Sequence, residues 1–536
     1  MNQARWMRFT LGMTVAGLGL WAFGCGTRGE QCELNGTCPT SGAGASGPGG
    51  GGTSGGGMGG NGGGDGGGGG VPAVCIPSEV TGSVADSCGV FVSSSLGHDT
   101  TGDGSKSAPY QTLEHALSVA GGAPVYACAE AFSEALVVAE KVTLYGGLDC
   151  AAGWGYVGGT VKTMWTAGSD AVPLTLTSGA TGTGIYDVAL TAADATVAGG
   201  SSIAVIADSV TAELVRCDVA AGAGAAGAAG VAPSVVGPNN EGANGVAGGP
   251  GLDGCSGTAL VGGGGGQGTC GAIDVAGGSG GNGLNATSGG TGSDGNPQPG
   301  PLGTEGLGGK EQDTNSSCDP GVKGANGTSG TAGAGATGIG ALSASGYVGA
   351  AGTAGLSTGT YGQGGGGGGG AAKCGGNAGP SAGGGGAGGC GGQAATGGGA
   401  GGSSIGIVSV NATLTLTTVK LATGPAGAGG VGGNGQPGGF GGIPGSPGLV
   451  NGMAGGACPG GLGGNGGRGG SGGGGLGGHS VGLAYVGALA TESMPTITVG
   501  VPGVGGLGGN ADATVSGASG LGCKTLDFAN AASCVQ

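Results

Sequence analysis

The chain has 536 residues, of which 158 are Gly and only 8% are charged. Aromatic residues make up 3%, too few for several ordinary globular cores, yet the long charged blocks of a typical disordered chain are absent. The net charge is −16, which is a low density of negative charge over this length. A negative net charge argues against nucleic-acid binding, which requires a basic face.

The first 24 residues have the pattern of a signal peptide. Arg5 and Arg8 form a positive start, and the apolar stretch Phe9–Trp21 is too short to span a bilayer comfortably. Small residues at Ala22 and Gly24 suit signal peptidase. The sequence therefore predicts an exported protein.

Cys25 directly follows the predicted cleavage site. Gly24-Cys25 resembles the lipobox of bacterial lipoproteins, in which the Cys is acylated, although Ala22 replaces the usual Leu and Phe23 is bulky for that motif. The alternative is ordinary cleavage before a Cys that later forms a disulfide. We predict lipidation, because a Cys falls at this position by chance only rarely. Gly26 is similar to lipoproteins sent to the outer membrane, which predicts a lipid-anchored location at the outer membrane or cell surface.

Sixteen cysteines in an exported chain predict disulfides. Proximity in sequence suggests five pairs, although connectivity does not follow from sequence. None of the cysteines has the CxxC spacing of a zinc or thioredoxin site, so no metal site is predicted for them. The suggested pairs are Cys32 with Cys38, Cys128 with Cys150, Cys255 with Cys270, Cys374 with Cys390, and Cys523 with Cys534.

Residues 25–70 read as an anchor and tether. Ser41–Gly70 is almost purely Gly, Ser, Ala and Thr, which behaves as a flexible spacer.

Residues 71–222 have a different composition, with short strands and one helix. Leu113, Ala116, Leu117 and Ala120 fall on one face and predict an amphipathic helix over Gln111–Ala120. Short apolar runs separated by turn residues predict strands. They cover 89–92, 125–128, 135–139, 142–145, 174–176, 185–190, 203–206 and 214–219.

The stretch GDGSKSAPYQTLEHAL resembles the N-terminal cap of pectin-lyase-like right-handed parallel β-helix proteins. The continuation AFSEALVVAEKVTLYGGLDC is similar to the first coils of that family. The resemblance covers roughly residues 88–222. It implies an all-β chain, a right-handed parallel β-helix solenoid with an N-terminal capping helix and long glycine-rich insertions. It says almost nothing about function.

A 21-residue motif recurs three times without gaps, at Ser202–Gly222, Ser404–Gly424 and Ser480–Gly500. Separated copies of this kind are typical of stacked architectures, in which no unit buries its apolar face alone. The later copies are therefore expected to stack on the first. The motif divides the rest of the chain into a glycine-rich insertion at 223–403, a rung at 404–424, a second insertion at 425–479, and a last rung with the C-terminal segment at 480–536.

The insertions keep Gly at every third position over several runs, for example from Gly242 to Gly257 and from Gly461 to Gly473. An extended left-handed helix has three residues per turn, so these Gly share one face and let neighbouring chains approach closely. The runs resemble the polyglycine-II bundles of some antifreeze proteins and phage fibres. The alternative is a flexible low-complexity loop.

Few residues are suited to catalysis. His98, His115 and His479 show no metal-ligand spacing, and His479 reads as a turn residue. Asp99 and Asp103 faintly resemble a calcium loop, but local turn bonding explains them better. Polysaccharide lyases on this fold use clustered Asp and a basic residue. The candidates here are Asp187, Asp194, Asp208, Asp218 and Arg216.

These observations predict a non-enzymatic surface lipoprotein with a structural or adhesive role, without catalytic residues, metal or cofactor. Its partners would be the membrane, through the lipid, and surface glycans or matrix. Asn and Thr scattered through the insertions would leave a neutral, hydrogen-bonding surface compatible with carbohydrate; the Asn residues are Asn244, Asn282, Asn326, Asn434 and Asn465. The alternatives are a polysaccharide lyase or hydrolase and, more weakly, an ice-binding protein. The oligomeric state does not follow from the sequence.

Overall fold

A computed structural model describes residues 75–299, 303–313, 315–450, 456–493, 495–530 and 533–536. All of them belong to one compact unit, Gly70–Gln536. The protein is mostly β, with 26% of residues in strands and 5% in helices. The predictions for the signal peptide, Cys25, the tether and the Cys32–Cys38 pair lie outside the described residues.

The N-terminal part contains thirteen strands and one α-helix. The strands are β1 (Val90–Val92), β2 (Val125–Cys128), β3 (Ala131–Ser133), β4 (Leu136–Val138), β5 (Thr143–Asp149), β6 (Gly155–Tyr156), β7 (Thr163–Thr166), β8 (Leu174–Leu176), β9 (Thr183–Tyr186), β10 (Val188–Thr191), β11 (Ser202–Asp208), β12 (Thr211–Val215) and β13 (Asp218–Ala221). The helix is α1 (Leu113–Val119), and short 3-10 turns lie at Pro77–Glu79, Asp86–Cys88 and Ser178–Ala180.

The remaining strands fall into the glycine-rich insertions and the later repeats. The first insertion contains β14 (Ala259–Leu260), β15 (Thr269–Cys270), β16 (Ile273–Asp274), β17 (Gly283–Leu284), β18 (Ala341–Ser343) and β19 (Gly346–Val348). The repeats contain β20 (Ser404–Val410), β21 (Thr413–Thr417), β22 (Lys420–Thr423), β23 (Ser480–Val486), β24 (Thr491–Ser493) and β25 (Thr496–Thr498). The C-terminal segment contains 3-10 turns at Gly509–Ala511 and Ala513–Val515, then β26 (Gly522–Asp527) and β27 (Cys534–Val535).

Three parallel sheets organise these strands. The first has the order β1-β2-β5-β9-β12-β21-β24, with β6 antiparallel to β5. The second has the order β3-β7-β10-β13-β22-β25, and the third β4-β8-β11-β20-β23-β26, closed by antiparallel β27. From β2 to β26 the chain visits the first, second and third sheets in turn. We call each such round a coil.

The sequence repeat is also the pairing register of the sheets. Ser202 is paired with Ser404, and Ser404 with Ser480, in the third sheet. The same offsets hold in the second sheet, where Val219 is paired with Leu421. The predicted stacking of the three copies is therefore confirmed.

The turns between sheets form columns of left-handed residues. Asp187, Arg216 and Thr418 follow the first sheet on successive coils, with φ of 58°, 54° and 54°. Each backbone N–H donates to the next coil, as from Asp187 to Val215 O at 3.1 Å. Two stretches predicted as single strands, 185–190 and 214–219, are each broken by one of these turns. Apolar periodicity did not reveal the break, because the turn residue is neither Gly nor Pro.

The main hydrophobic core gathers aliphatic side chains from all three sheets, among them the fully buried Leu214, Leu416 and Leu483. Helix α1 packs against its N-terminal end through Leu113 and Ala116, as its apolar face predicted. Thr112 caps the helix by accepting from His115 N, and Glu134 accepts from Leu113 N at 2.9 Å.

A third glycine-rich insertion, residues 499–521, lies within the predicted C-terminal segment, and all three insertions leave from the same corner. Each departs after a strand of the second sheet and returns to the third, between β13 and β20, β22 and β23, and β25 and β26. Because those coils are adjacent, the insertions lie side by side and share hydrogen bonds. For example, Gly248 N donates to Ile443 O at 2.9 Å, and Gly464 N donates to Gln363 O at 2.8 Å.

Hydrogen bonding in the insertions repeats every three residues. The largely buried segment 381–402 shows this pattern. The N–H groups of Gly384, Gly385 and Gly386 donate in turn to segments 242–254, 275–284 and 458–476, at 2.9, 2.8 and 3.0 Å. The N–H of the next residue, Ala387, donates to segment 242–254 again. A loosely held loop does not make such bonds, so the insertions are ordered in the described residues.

Disulfides connect distant parts of these insertions. Cys255 bonds Cys374, Cys270 bonds Cys390, and Cys318 bonds Cys458, across 119, 120 and 140 residues. The suggested Cys255–Cys270 and Cys374–Cys390 pairs are therefore wrong, because segments distant in sequence are neighbours in the bundle. Cys128–Cys150 and Cys523–Cys534 bond as expected from their proximity. A further bond joins Cys75 to Cys88.

Candidate functional site

The most polar cluster lies in the turn column beside the first sheet. Arg216 donates from Nε to Asp187 Oδ1 at 2.8 Å and from Nη2 to Asp187 Oδ2 at 2.7 Å. Tyr156 OH donates to the same Oδ1 at 2.9 Å. The Asp187 side chain is 2% exposed and that of Arg216 is 36% exposed. Hydrogen bonding to Asp187 raises the pKa of Arg216, so this guanidinium is held as a cation and does not serve as a proton acceptor.

The other candidate carboxylates are not brought to this pair. Asp194 accepts from Ala223 N at 2.6 Å, and Asp208 lies beside Ser209 in the next turn. Asp218 forms an ion pair with Lys162 at 2.6 Å. In the described residues, no three His, Cys, Asp or Glu side chains are grouped so as to hold a metal ion.

The two N-terminal acids have local partners. Asp99 accepts from Gln111 N at 2.7 Å and from Thr112 Oγ1 at 2.8 Å, while Asp103 accepts from Ser105 N at 3.0 Å. The bonds of Asp99 fasten the loop to the start of α1. The predicted local turn bonding is confirmed for Asp103, whereas the partners of Asp99 lie 12 and 13 residues away.

An aromatic stack runs along the outer side of the first sheet. Phe91, Tyr126, Tyr145 and Tyr186 occupy paired positions on successive strands, with ring centroids 5.0, 5.6 and 4.8 Å apart. The hydroxyl of Tyr186 reaches Glu213 on the next coil. Sequence reasoning missed this stack, although one aromatic residue in each of four predicted strands, 89–92, 125–128, 142–145 and 185–190, was the available signal.

His479 is fully buried, contrary to its interpretation as a turn residue. Nδ1 accepts from Leu521 N at 2.8 Å, so Nε2 carries the proton and donates to Ile339 O at 2.9 Å. Burial lowers its pKa below the usual value. The neutral ring thus joins the start of β23 to two separate insertions.

The five exposed Asn residues have a structural role that the sequence did not reveal. Each side-chain oxygen accepts a backbone N–H from a neighbouring segment at the edge of the bundle. Asn244 accepts from Phe440 N at 2.8 Å, and Asn465 from Gly441 N at 2.9 Å. The other three bonds run from Gly262 to Asn282, from Asn465 to Asn326, and from Asn510 to Asn434. Half of each amide is therefore committed to the bundle rather than free for a glycan.

The surface between these amides is apolar. Segment 425–449 exposes every third side chain, including Phe440 at 72% and Ile443 at 66% of full exposure. The neighbouring segment adds Leu462 at 46% exposure. Charges are sparse here, so this face of the bundle offers apolar and amide groups to a contacting surface.

No helix in the described part of the chain is long and apolar enough to cross a membrane. Comparison with known proteins gave no match to a family model, to a curated protein or to a solved structure.

Proposed function

We propose that this chain is an exported, lipid-anchored surface protein with a non-enzymatic structural or adhesive role. In this proposal the three sheets wind as a right-handed parallel β-helix. The glycine-rich insertions form a polyglycine-II-like bundle that projects from one corner of it. The single observation that carries the proposal is the bundle itself, in which three long-range disulfides cross-link segments bonded at three-residue intervals. A rigid, weakly charged projection is suited to contact and coating.

Cysteine parity supports the lipid anchor. Twelve of the sixteen cysteines form six disulfides. Cys217 is a buried free thiol, and Cys25, Cys32 and Cys38 are the three that remain. If Cys32 bonds Cys38, Cys25 is left over for acylation. Multiple disulfides also fit an oxidising compartment outside the cytoplasm.

The polar cluster supports the non-enzymatic role over a lyase. A lyase of the kind considered needs a base facing an open, acid-lined cleft. Arg216 is instead fastened to Asp187, and the remaining acids have separate partners.

Cys25→Ser provides the test, because it removes the acylated atom and leaves residues 75–536 unchanged. Cells expressing the natural chain should incorporate labelled fatty acid into it, and protease treatment of intact cells should release fragments of 75–536. The Cys25→Ser chain should be unlabelled and lost from the envelope, together with any adhesion that the protein confers. Labelled but protease-protected protein would overturn the surface location. An unlabelled natural chain would overturn the anchor.

A further inference from the structure

The bundle has one row of hydrogen-bonding positions that is only half filled. Segment 275–284 lies in a groove formed by two longer segments, 349–372 and 381–402, which are hydrogen bonded to each other, for example from Gly365 N to Gly386 O at 2.8 Å. It accepts from Gly385 N at Gly278 O, 2.8 Å, and from Gly388 N at Val275 O, also 2.8 Å. It donates to the other side from Gly278 N to Gly365 O, at 2.8 Å. In the filled half, a single extended segment therefore occupies the row through backbone hydrogen bonds to both neighbouring segments.

Beyond Val275 the two flanking segments continue without that neighbour. At the positions where the row would continue, four N–H groups of segment 381–402 and four carbonyl groups of segment 349–372 have no hydrogen-bond partner among the described residues. A cavity of about 350 Å³ opens where the row becomes empty, lined by Cys270, Thr358, Tyr361 and Gly391. The donors are Gly391, Ala394, Gly397 and Ala400, and the acceptors are Gly352, Gly355, Gly359 and Gly362. We call this row of eight groups the open groove.

The filled half shows what the open groove accepts. A Cβ on Gly277 would lie 2.0 Å from Gly385 O, and one on Gly280 would lie 2.2 Å from Ala382 O. Ser279 and Asn282 at the intervening positions are exposed. In the filled half, Gly278 and Gly281 are also restricted, since their Cβ atoms would each lie 1.9 Å from a carbonyl of segment 289–296. The occupant must therefore be extended and must have Gly at every third residue facing 381–402, and it is free to carry other side chains at positions like those of Ser279 and Asn282.

The chain contains a second segment with this pattern. Residues 56–62 read GGMGGNG, and residues 277–283, which fill the row, read GGSGGNG. The two agree at six of seven positions. Seven extended residues span about 22 Å and the nine steps from Gly391 to Ala400 about 28 Å, at roughly 3.1 Å per residue. The open groove therefore has the length for the whole motif.

We propose that the open groove binds residues 56–62 of a second copy of this chain. Recognition uses backbone hydrogen bonds to the eight unpaired groups, with Gly56, Gly59 and Gly62 facing 381–402. Met58 and Asn61 would point outward, as Ser279 and Asn282 do. On a cell surface such contacts would join neighbouring copies into a coat. That biological meaning rests on the proposed function, but the contact itself does not require an anchor.

Sedimentation of the exported chain with Cys25→Ser tests the contact in solution. Because each copy carries one segment 56–62 and one groove, the contact is head-to-tail, and the average mass should rise at least twofold with concentration as copies associate. Gly56→Val with Gly59→Val should keep the chain monomeric, because the new side chains face the groove. Met58→Val with Asn61→Val is the matched control and should associate like the parent. A parent that is monomeric throughout, or equal association of both double variants, would overturn the proposal.

A photo-crosslinking amino acid at position 58 locates the site. Crosslinks between differently labelled copies should map to 351–362 or 391–400, and consistent mapping elsewhere would overturn the assignment to the groove. Both assays are done in solution. Their failure would therefore leave the proposed surface function standing, while loss of acylation or surface exposure would leave the groove proposal standing.

Discussion

Five consecutive glycines, Gly262–Gly266, allow the packing of the bundle to be tested within one short stretch. A Cβ on Gly265 would lie 1.8 Å from Gly277 O, and one on Gly266 would lie 2.1 Å from Val246 O. A Cβ on Gly264 meets nothing within 4 Å. We therefore expect Gly265→Ala to disrupt the bundle locally and Gly264→Ala to be tolerated.

The magnitude follows from the bonds that must break. Ordinary contact begins at 3.4 Å, so at Gly265 the two segments must separate by roughly 1.5 Å. That movement breaks the bonds from Gly277 N to Gly266 O and from Gly280 N to Gly263 O, each 2.8 Å long. Two lost bonds, with buried groups left unpaired, cost about 2–4 kcal/mol. Gly264→Ala should instead stabilise by about 0.4–1 kcal/mol, because it restricts the unfolded chain.

Amide hydrogen exchange followed by mass spectrometry measures this difference. In Gly265→Ala, peptides covering 258–285 should exchange about 30- to 700-fold faster than in the parent. Peptides from the N-terminal coils, such as 125–149, should be unchanged and serve as an internal control. Equal exchange in Gly264→Ala and Gly265→Ala would refute the close packing of this segment.

Three further predictions concern cross-links and charges. Replacing Cys270 and Cys390 by Ser should lower the free energy of unfolding of the bundle by about 3–4 kcal/mol, because with Cys255–Cys374 intact the bond closes an additional loop of only about 31 residues. Unchanged resistance of residues 223–403 to proteolysis would contradict this. Asp187→Asn should cost about 2–3 kcal/mol, less than a fully buried pair because the Arg216 side chain is 36% exposed, and thermal denaturation measures it. Burial lowers the pKa of His479, so the unfolded chain binds more protons near pH 6 and stability should fall as the pH drops below the unfolded value of 6.5. In His479→Gln that part of the pH dependence should vanish, and a urea-denaturation series with an unchanged pH slope would exclude the assignment.

Much of the sheet architecture was predictable because it is recorded in local pattern. The gapless repeat beginning at Ser202, Ser404 and Ser480 fixed the register across separations of 202 and 76 residues, since backbone pairing requires equal spacing within each copy. Leu113 and Ala116 likewise identified the buried face of α1.

The errors arose where neighbours in space are remote in sequence. Cys255 and Cys374 are joined only because their segments are adjacent in the bundle, and no local signal records that. The structural role of Asn244 depends on the backbone N–H of Phe440, 196 residues away, which donates to its side chain. Amino-acid composition does not predict that contact. The pairing of Asp187 with Arg216 required knowing that two turns lie on successive coils.

The shared exit corner of the insertions has an evolutionary consequence. Each insertion begins after a strand of the second sheet and ends at the next strand of the third sheet. The length of the insertion therefore has no effect on how the strands pair. Duplication or loss of whole three-residue units within an insertion would alter the bundle while every paired strand kept its partner. The length of these stretches can therefore change without re-pairing any strand, and we expect related chains to differ most in the lengths of these three stretches.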